Sequence, residues 1–192
     1  MKTKRLLRGI PMLGLVAVIV TGCITSVHPL FTDKELIFRP ELIGTWQNDN
    51  ETMVFRGIDS THYSVLYVEK TDTTELIGRL GKLGDHYYLD MTIDPHDQKV
   101  NDLLGTYIFP VHIFFKVSFE NGQLNMNAFA FSSDWLEKLI QERRIRIKHE
   151  VENDQVLLTA STEELQKFVI KYADEPKAFD SDPSSYKRIT AP

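Results

Sequence analysis

Strict alternation of apolar and polar positions predicts a long strand in the middle of the chain. Seven consecutive odd positions from Tyr107 to Phe119 carry apolar side chains, and the positions between them become polar toward the C-terminal end. A period of two places alternate side chains on one face of a strand. We therefore expect the odd positions to form the buried face and Phe114 to lie on the other face. Asn121-Gly122 predicts a tight hairpin turn after this strand.

Further alternating segments, separated by turn residues such as Gly84-Asp85, predict a mostly β fold. These segments are Tyr63–Tyr67, Leu76–Leu83, Tyr87–Ile93, Leu124–Ala128, Ile145–Ile147 and Val156–Thr159. Short strands at close spacing favour an antiparallel meander that closes as a barrel or packs as a sandwich.

Two short helices are predicted in the C-terminal half. Ser133 is a candidate cap for the first, which carries the apolar residues Leu136, Leu139 and Ile140. The second begins with a capping box between Ser161 and Glu164. Its apolar positions follow at helical spacing, at Leu165, Phe168, Val169 and Tyr172. We expect both helices to cover a sheet face or one end of a barrel.

The N-terminus has the layout of a secretory signal, with four basic residues followed by a short apolar run. The run of Ile10–Val20 is shorter than the roughly 20 residues that span a bilayer. Val20-Thr21-Gly22-Cys23 then resembles the lipobox of bacterial lipoprotein signal peptides. The resemblance implies cleavage between Gly22 and Cys23 and a diacylglyceryl group on the Cys23 sulfur. The alternative is an ordinary secretory signal with a chance cysteine.

The resemblance to lipoprotein signal peptides also predicts that the protein is located in the bacterial cell envelope. Aspartate after the lipidated cysteine favours retention at the inner membrane, and Ile24 occupies that position here. The expectation is therefore a lipid-anchored protein on the outer membrane, at its periplasmic face, of a two-membrane bacterium. In a one-membrane bacterium it would remain on the outer face of the cell membrane.

Charge and cysteine content narrow the function classes of the mature chain. The chain has 22 basic and 27 acidic residues, and the segment before Cys23 carries four of the basic ones, so the mature protein has a net charge of −9. An acidic protein is a poor partner for nucleic acid. Lipidation of Cys23 would use the only cysteine, which excludes disulfides, thiol catalysis and cysteine-ligated zinc. We expect no cofactor.

The predicted domain organisation has four parts. Residues 1–22 form the signal peptide, and residues 23–40 the lipidated cysteine and a tether. Within the tether, Leu30, Phe31 and Leu36-Ile37-Phe38 could fold back onto the domain, so we expect a short flexible spacer near the cysteine and then a segment that packs. Residues 41–175 form one β-rich globular domain, and residues 176–192 a C-terminal tail. A mature length of 170 residues is ample for one core.

Two resemblances sharpen the fold expectation. Gly44-Thr45-Trp46 resembles the Gly-x-Trp signature of lipocalins, which implies that Trp46 closes one end of a barrel or lies near a ligand. His28-Pro29-Leu30-Phe31-Thr32, Tyr87-Tyr88-Leu89-Asp90 and Pro110-Val111-His112 resemble a family of uncharacterised bacterial lipoproteins. That second resemblance implies a lipid-anchored, lipocalin-like β-rich domain, and it implies no activity.

Few residues are candidates for chemistry. Asp94-Pro95-His96-Asp97 gathers oxygen and nitrogen ligands, although a polar loop after a strand explains it more simply. His112 and Asp90 fit a satisfied histidine and a carboxylate paired with a cation on a neighbouring strand. Ser132 and Ser133 fit helix caps better than nucleophiles. A cationic run fits a solvated strand face, with an anionic partner or headgroup as the alternative; it comprises Arg143, Arg144, Arg146 and Lys148.

Three function classes remain open at this point. The first is a non-enzymatic envelope lipoprotein that binds or contacts another protein. The second is a lipocalin-like carrier of a small apolar molecule or lipid. The third is a hydrolase, for which no triad is evident in the sequence. The first is favoured, and the expected partners are the membrane through the anchor and an envelope protein or a small apolar ligand.

Overall fold

The computed structural model describes residues 24–93, 105, 108–129, 135, 138–139, 142, 144, 146–152, 155–180 and 182–190. The strands are β1 (Thr25–Ser26), β2 (Gly44–Gln47), β3 (Glu51–Gly57), β4 (His62–Glu69), β5 (Asp72–Leu83), β6 (His86–Ile93), β7 (His112–Glu120), β8 (Gln123–Ala128), β9 (His149–Glu152), β10 (Gln155–Leu158) and β11 (Ser184–Thr190). One α-helix, α1, spans Thr162–Lys171, and 3-10 turns span Pro40–Leu42 and Pro176–Ala178.

Eight of these strands form a closed antiparallel barrel, which is one of the two arrangements that the alternation predicted. Strands β2 to β8 pair with their chain neighbours in succession, including β6 with β7. β11 then pairs with both β8 and β2 and closes the cylinder. The predicted turn at Asn121-Gly122 is confirmed, since both residues have positive φ and join β7 to β8.

The barrel interior holds one of the two hydrophobic cores. Inward-facing side chains of alternate parity come from every barrel strand, and a leucine of the first 3-10 turn joins them. The core comprises Leu42, Trp46, Met53, Phe55, Tyr63, Val65, Leu80, Leu89, Met91, Val117, Leu124, Met126 and Tyr186. The apolar positions of the alternating segments therefore form the inner face of the barrel.

A second core lies outside the barrel, against the outer faces of β5, β6 and β7. Leu83, Tyr88 and Phe114 project from those strands in the parity opposite to the inner core. Side chains from α1, β10 and the N-terminal segment cover them; these include Ile24, Leu30, Phe31, Leu158, Leu165, Phe168 and Val169. The molecule therefore has a barrel and a packed outer layer on one side of it.

The prediction for the long central strand is wrong in two respects. β7 begins at His112, and Phe109 is 63% exposed. Both faces of β7 are buried, because the outer layer covers the face that holds Phe114, which is 1% exposed. Phe115, on the inner face, is only partly buried.

The predicted tether and tail differ from the structure. Ile24 and Ser26 are buried, and Thr25–Ser26 pairs with β10 in parallel and with β7 in antiparallel. Residues 24–40 are thus part of the fold. The predicted tail contains β11, a full barrel strand, so the globular unit extends to Thr190.

Helix α1 confirms the second predicted helix. Ser161 accepts a hydrogen bond from the Glu164 backbone, and the Glu164 side chain accepts one from the Ser161 backbone, which is the expected capping box. The buried residues of α1 are Leu165, Phe168 and Val169. Most of the first predicted helix, beginning at Ser133, lies outside the described residues.

Candidate functional site

A buried polar cluster lies on the outer barrel wall, beneath the N-terminal segment. Asp90 of β6 is 0% exposed. One of its carboxylate oxygens lies 2.7 Å from His112 Nδ1, and the other accepts a hydrogen bond from Arg79 Nη2 at 3.2 Å. Sequence reasoning placed His112 and Asp90 as a satisfied histidine and a cation-paired carboxylate, and both placements are confirmed. It missed Arg79.

The same carboxylate holds the N-terminal segment against the barrel. The backbone N–H of Leu30 donates to Asp90 Oδ2 at 3.0 Å. Helix α1 holds the neighbouring carbonyls, because Thr162 Oγ1 donates to Pro29 O and Gln166 Nε2 donates to Leu30 O. A backbone donor and two cationic or imidazole groups therefore converge on one buried anion, which charge-assisted hydrogen bonds stabilise.

The Asp90–His112 pair resembles the acid–base part of a catalytic triad. Two residues with a hydroxyl group pair with His112 in register: Thr92 of β6, whose Oγ1 is buried and has no hydrogen-bond partner among the described residues, and Ser26 of β1. Its hydroxyl donates to the carbonyl of His28 at 2.8 Å, and Ser26 is 0% exposed. In this structure the Ser26 hydroxyl is thus engaged with the His28 carbonyl. The bonds to Asp90 join β5, β7 and the N-terminal segment.

Trp46 lies at the start of the barrel, next to the first 3-10 turn. It is 2% exposed, and its Nε1 donates to the carbonyl of Leu42 at 2.8 Å. The Arg188 guanidinium of β11 stacks over the Trp46 ring at 4.5 Å and donates to the carbonyls of Ile43 and Glu41. This is a geometry that can seal a barrel end. A role for Trp46 in closure or ligand entry stays a prediction.

The segment that precedes Trp46 packs over the same end. Phe38 stacks on Tyr63 with ring centroids 5.0 Å apart. The Arg39 guanidinium lies 5.1 Å from the Tyr87 ring and 5.2 Å from the Phe119 ring. Cation–π contacts of this kind stabilise the arrangement without a buried unpaired charge.

A carboxylate with two tyrosines occupies the end where the β2–β3 and β4–β5 hairpins lie. The hydroxyls of Tyr67 and Tyr186 both donate to Glu51, and Asn48 Nδ2 donates to it at 3.1 Å. Burial, and then the bond to Glu51, raise the pKa of Tyr67 and of Tyr186 far above the ordinary value. This end is therefore polar, whereas the Trp46 end is aromatic.

The described part of the barrel interior is filled by side chains. Each of its core residues is at most 7% exposed, and Tyr63, Val65, Leu80, Leu89 and Leu124 are 0% exposed. A void large enough for a small molecule would give its lining residues accessible surface. Inner residues at both ends of the barrel are partly exposed, such as Leu76 and Phe115 toward the Glu51 end and Tyr87 and Phe119 beneath Arg39.

A groove on the outer layer brings part of the predicted cationic run together with α1. Arg144 and Arg146 line it with Lys167 and Lys171 of the helix. The sequence pointed to the arginines, but it contained no signal that the two lysines lie beside them. Lys148 is exposed and is not part of the groove lining.

Several predicted sites lie outside the described residues. These are Gly22 and Cys23, the Asp94–Asp97 loop, Ser132, Ser133 and Arg143. Within the described part of the chain, no group of three or more histidine, cysteine or acidic residues is arranged to hold a metal ion. No helix among the described residues is long and apolar enough to cross a membrane.

Comparison of the chain with protein families, curated proteins and solved structures finds no match.

Proposed function

We propose that the protein is a lipid-anchored lipoprotein of the bacterial cell envelope and acts as a non-enzymatic binding module. The lipobox supports the anchor, with cleavage before Cys23 and acylation of its sulfur. Ile24 after the cysteine supports delivery to the outer membrane. The closed barrel supports a rigid body that presents its outer surface close to the bilayer.

The packing of the N-terminal segment determines how closely a lipid on Cys23 would hold the barrel to the bilayer. Ile24 is 3% exposed and belongs to the outer core. A lipid on Cys23 would therefore be attached one residue from the folded domain, with no spacer between them. The bilayer would then limit the orientations of the barrel, and one side of the outer layer would remain near the headgroups.

The filled interior is the observation that favours a surface-binding module over a carrier. A ligand pocket of ordinary size occupies about 300–1,000 Å³. The thirteen side chains of the inner core are each at most 7% exposed, and this close packing supports surface binding over a cavity of that size. Binding at the outer surface requires no rearrangement of this core.

Metabolic labelling with palmitate tests the anchor. The wild type should incorporate label and float with outer-membrane fractions, whereas Cys23→Ala should do neither. Ser26→Ala is a control that keeps the cysteine. Equal labelling of wild type and Cys23→Ala would contradict the anchor, and exclusive recovery of the wild type with inner-membrane markers would contradict the sorting.

A hydrolase screen on the purified mature chain tests the absence of catalysis. Asp90 and His112 are the acid–base pair to vary, as His112→Gln and Asp90→Asn. We expect no turnover above a heat-denatured control with any ester, amide or phosphoester substrate. Turnover that disappears in both variants, while their circular dichroism spectra match the wild type, would overturn the proposal.

A carrier of a small apolar molecule is the second candidate. The partly exposed inner residues Leu76 and Phe115, toward the end that holds Glu51, favour it. Native mass spectrometry of the delipidated mature chain separates the two functions. A co-purified ligand that is lost in Phe115→Trp, which fills that end, would establish the carrier, whereas retention in this variant would place the ligand elsewhere.

A further inference from the structure

A shallow groove on the outer layer combines an apolar floor with a cationic rim. It has a volume of about 220 Å³ and lies between α1 and the segment that leads into β9. Ile147, Phe168 and Tyr172 contribute to its lining, and each is 8% exposed. These three side chains also belong to the outer core, so the floor is part of the rigid fold.

Four cations surround this floor, namely Arg144, Arg146, Lys167 and Lys171. All four are exposed. Lys167 pairs with Glu163 at 2.6 Å and Arg144 pairs with Glu142 at 3.3 Å, both at the solvent-exposed surface. Exposed ion pairs contribute little free energy, so an incoming anion can compete with these carboxylates. Arg146 makes no ion pair with a carboxylate of the described residues.

One carboxylate, Glu164, also lines the groove. Its Oε2 accepts hydrogen bonds from the backbone N–H and the hydroxyl of Ser161, each at 3.0 Å. The backbone hydrogen bond from Ser161 is the main cause that lowers the pKa of Glu164. The helix N-terminus also favours this charge. The lining therefore holds four positive charges and one negative charge, and two of the four cations are paired with Glu163 and Glu142 outside the lining. The mature chain as a whole has a net charge of −9.

We propose that this groove binds a single anionic amphiphile, a molecule with one phosphate or carboxylate headgroup and an alkyl chain. The inference rests on the proposed role as a binding module and gives that module a ligand class. The cations would hold the headgroup, and arginine can do so with two parallel hydrogen bonds. The alkyl chain would cover Ile147 and Phe168, which releases water from apolar surface.

The geometry favours one amphiphile molecule over an anionic bilayer surface. The floor residues are each 8% exposed and the four cations are exposed, so a headgroup layer would contact the cations before it contacted Phe168. The acidic chain as a whole is repelled by an anionic lipid surface. A volume below that of a typical drug pocket, about 300 Å³ or more, fits a headgroup and part of one chain.

Calorimetric titration of the mature chain carrying Cys23→Ala, residues 23–192, tests this site, because every described element lies within that chain. Three probes below their micelle concentrations separate the contributions: decyl phosphate, decyltrimethylammonium and inorganic phosphate. Decyl phosphate should bind one to one. The cation with the same alkyl chain and the phosphate without one should each bind at least about tenfold more weakly.

A charge-matched pair of double variants assigns the binding to the groove. Arg146→Gln with Lys171→Gln should weaken decyl phosphate binding about tenfold. Lys177→Gln with Lys187→Gln removes the same charge from exposed positions elsewhere and should leave the affinity within about twofold. Raised salt should weaken binding in the wild type more than in the groove variant.

Three results would overturn the inference. They are the absence of decyl phosphate binding, equal losses in both double variants, and binding to phosphatidylglycerol vesicles through Arg146 and Lys171 without binding of decyl phosphate. None of them bears on acylation of Cys23. Failure of palmitate labelling would in turn leave a groove result standing, so the two proposals fail separately.

Discussion

The carboxylate of Asp90 accepts hydrogen bonds from β5, β7 and the N-terminal segment at once. Asp90→Ala would leave the Arg79 guanidinium and the Leu30 N–H without their acceptor. Breaking a buried pair on one side leaves an uncompensated charge. We expect the free energy of unfolding to fall by about 3 kcal/mol in urea melts.

Asp85→Ala is the matched control for this prediction. Asp85 is an exposed carboxylate in the hairpin turn between β5 and β6. Its removal should change the free energy of unfolding by less than about 0.5 kcal/mol. Similar losses for Asp85→Ala and Asp90→Ala would show that the buried cluster does not fasten the outer layer.

Tyrosine ionisation offers a second prediction at the scale of single residues. Burial raises the pKa of Tyr88 to about 12, and it also raises the pKa of Tyr63, Tyr67 and Tyr186. A raised folded-state pKa means that the fold favours the neutral phenol. The free energy of folding that comes from keeping these phenols neutral is fully present below the unfolded-state pKa of about 10. It is lost as the pH rises toward their pKa values in the folded protein.

Ultraviolet titration measures this effect directly. Tyr67, Tyr88 and Tyr186 should stay neutral near pH 11 while the protein is folded, and stability should fall steadily above pH 10. Unfolding the protein in urea should return all seven tyrosines to an ordinary titration. A folded protein in which all seven ionise together near pH 10 would contradict the described burial.

Residue-level reasoning from the sequence was correct where a pattern is local. The capping box between Ser161 and Glu164 needs only a spacing of three, and it is present. The partner of Asp90 on the next strand was anticipated as a cation, but not as Arg79. The pairing of β5 with β6 places Arg79 opposite Asp90. This register depends on turns and packing that an alternation pattern does not specify.

Strand β7 shows why alternation describes one face of an element better than both. The alternation identified the inner face, yet Phe114 on the outer face is almost fully buried. Phe114→Ala should cost about 3–5 kcal/mol, because it opens a cavity in the outer core. Phe115→Ala should cost less, because Phe115 is partly exposed toward one barrel end.

Urea melts of the two variants decide this point. The expected order of stability is wild type, then Phe115→Ala, then Phe114→Ala. The reverse order would mean that the outer layer does not pack on β7 and that only the inner face is buried.

The N-terminal segment is the element whose predicted role changes most. Phe31 packs onto Gly81 of β5 so closely that a Cβ at Gly81 would lie 2.4 Å from the ring. Gly81→Ala should therefore destabilise the protein by about 1–3 kcal/mol through overpacking. In a Phe31→Leu background the added cost of Gly81→Ala should shrink, and denaturant melts of the double-mutant cycle measure that coupling.

If Gly81→Ala costs the same free energy of unfolding in the wild type and in the Phe31→Leu background, Phe31 does not pack on β5. The sequence indicated that Phe31 could fold back onto the domain, but it could not predict the contact with Gly81, because residues 24–40 show no clear period. Their order comes from hydrogen bonds and close packing against distant strands, as in Lys82 N to Glu35 O and Leu30 N to Asp90 Oδ2.

At the scale of the whole molecule, the sequence predicted an antiparallel meander but left barrel and sandwich open. It predicted that the helices cover a sheet face or a barrel end, but not which strands they cover. Repeated alternation and turns specify the meander, because each strand pairs with its chain neighbour. β11 follows a long connection, and its partners β2 and β8 are distant in sequence. The covering of β5–β7 by α1 and the N-terminal segment likewise depends on long-range contacts.

The resulting molecule has a packed inner core and a second core that joins the barrel to the segment directly after Cys23. This arrangement supports the proposal that ligands bind at the outer surface. It also links the predicted lipid anchor to the fold, because no spacer would separate a lipid on Cys23 from Ile24 of the outer core.

Mass spectrometry of the N-terminal peptide, taken from protein extracted from bacterial membranes, is the decisive test of lipidation at Cys23. We expect a peptide that begins at Cys23 and carries a diacylglyceryl group, with or without an acyl chain on the new amino terminus. A peptide that begins at Met1, or an unmodified Cys23 in membrane-extracted protein, would contradict it.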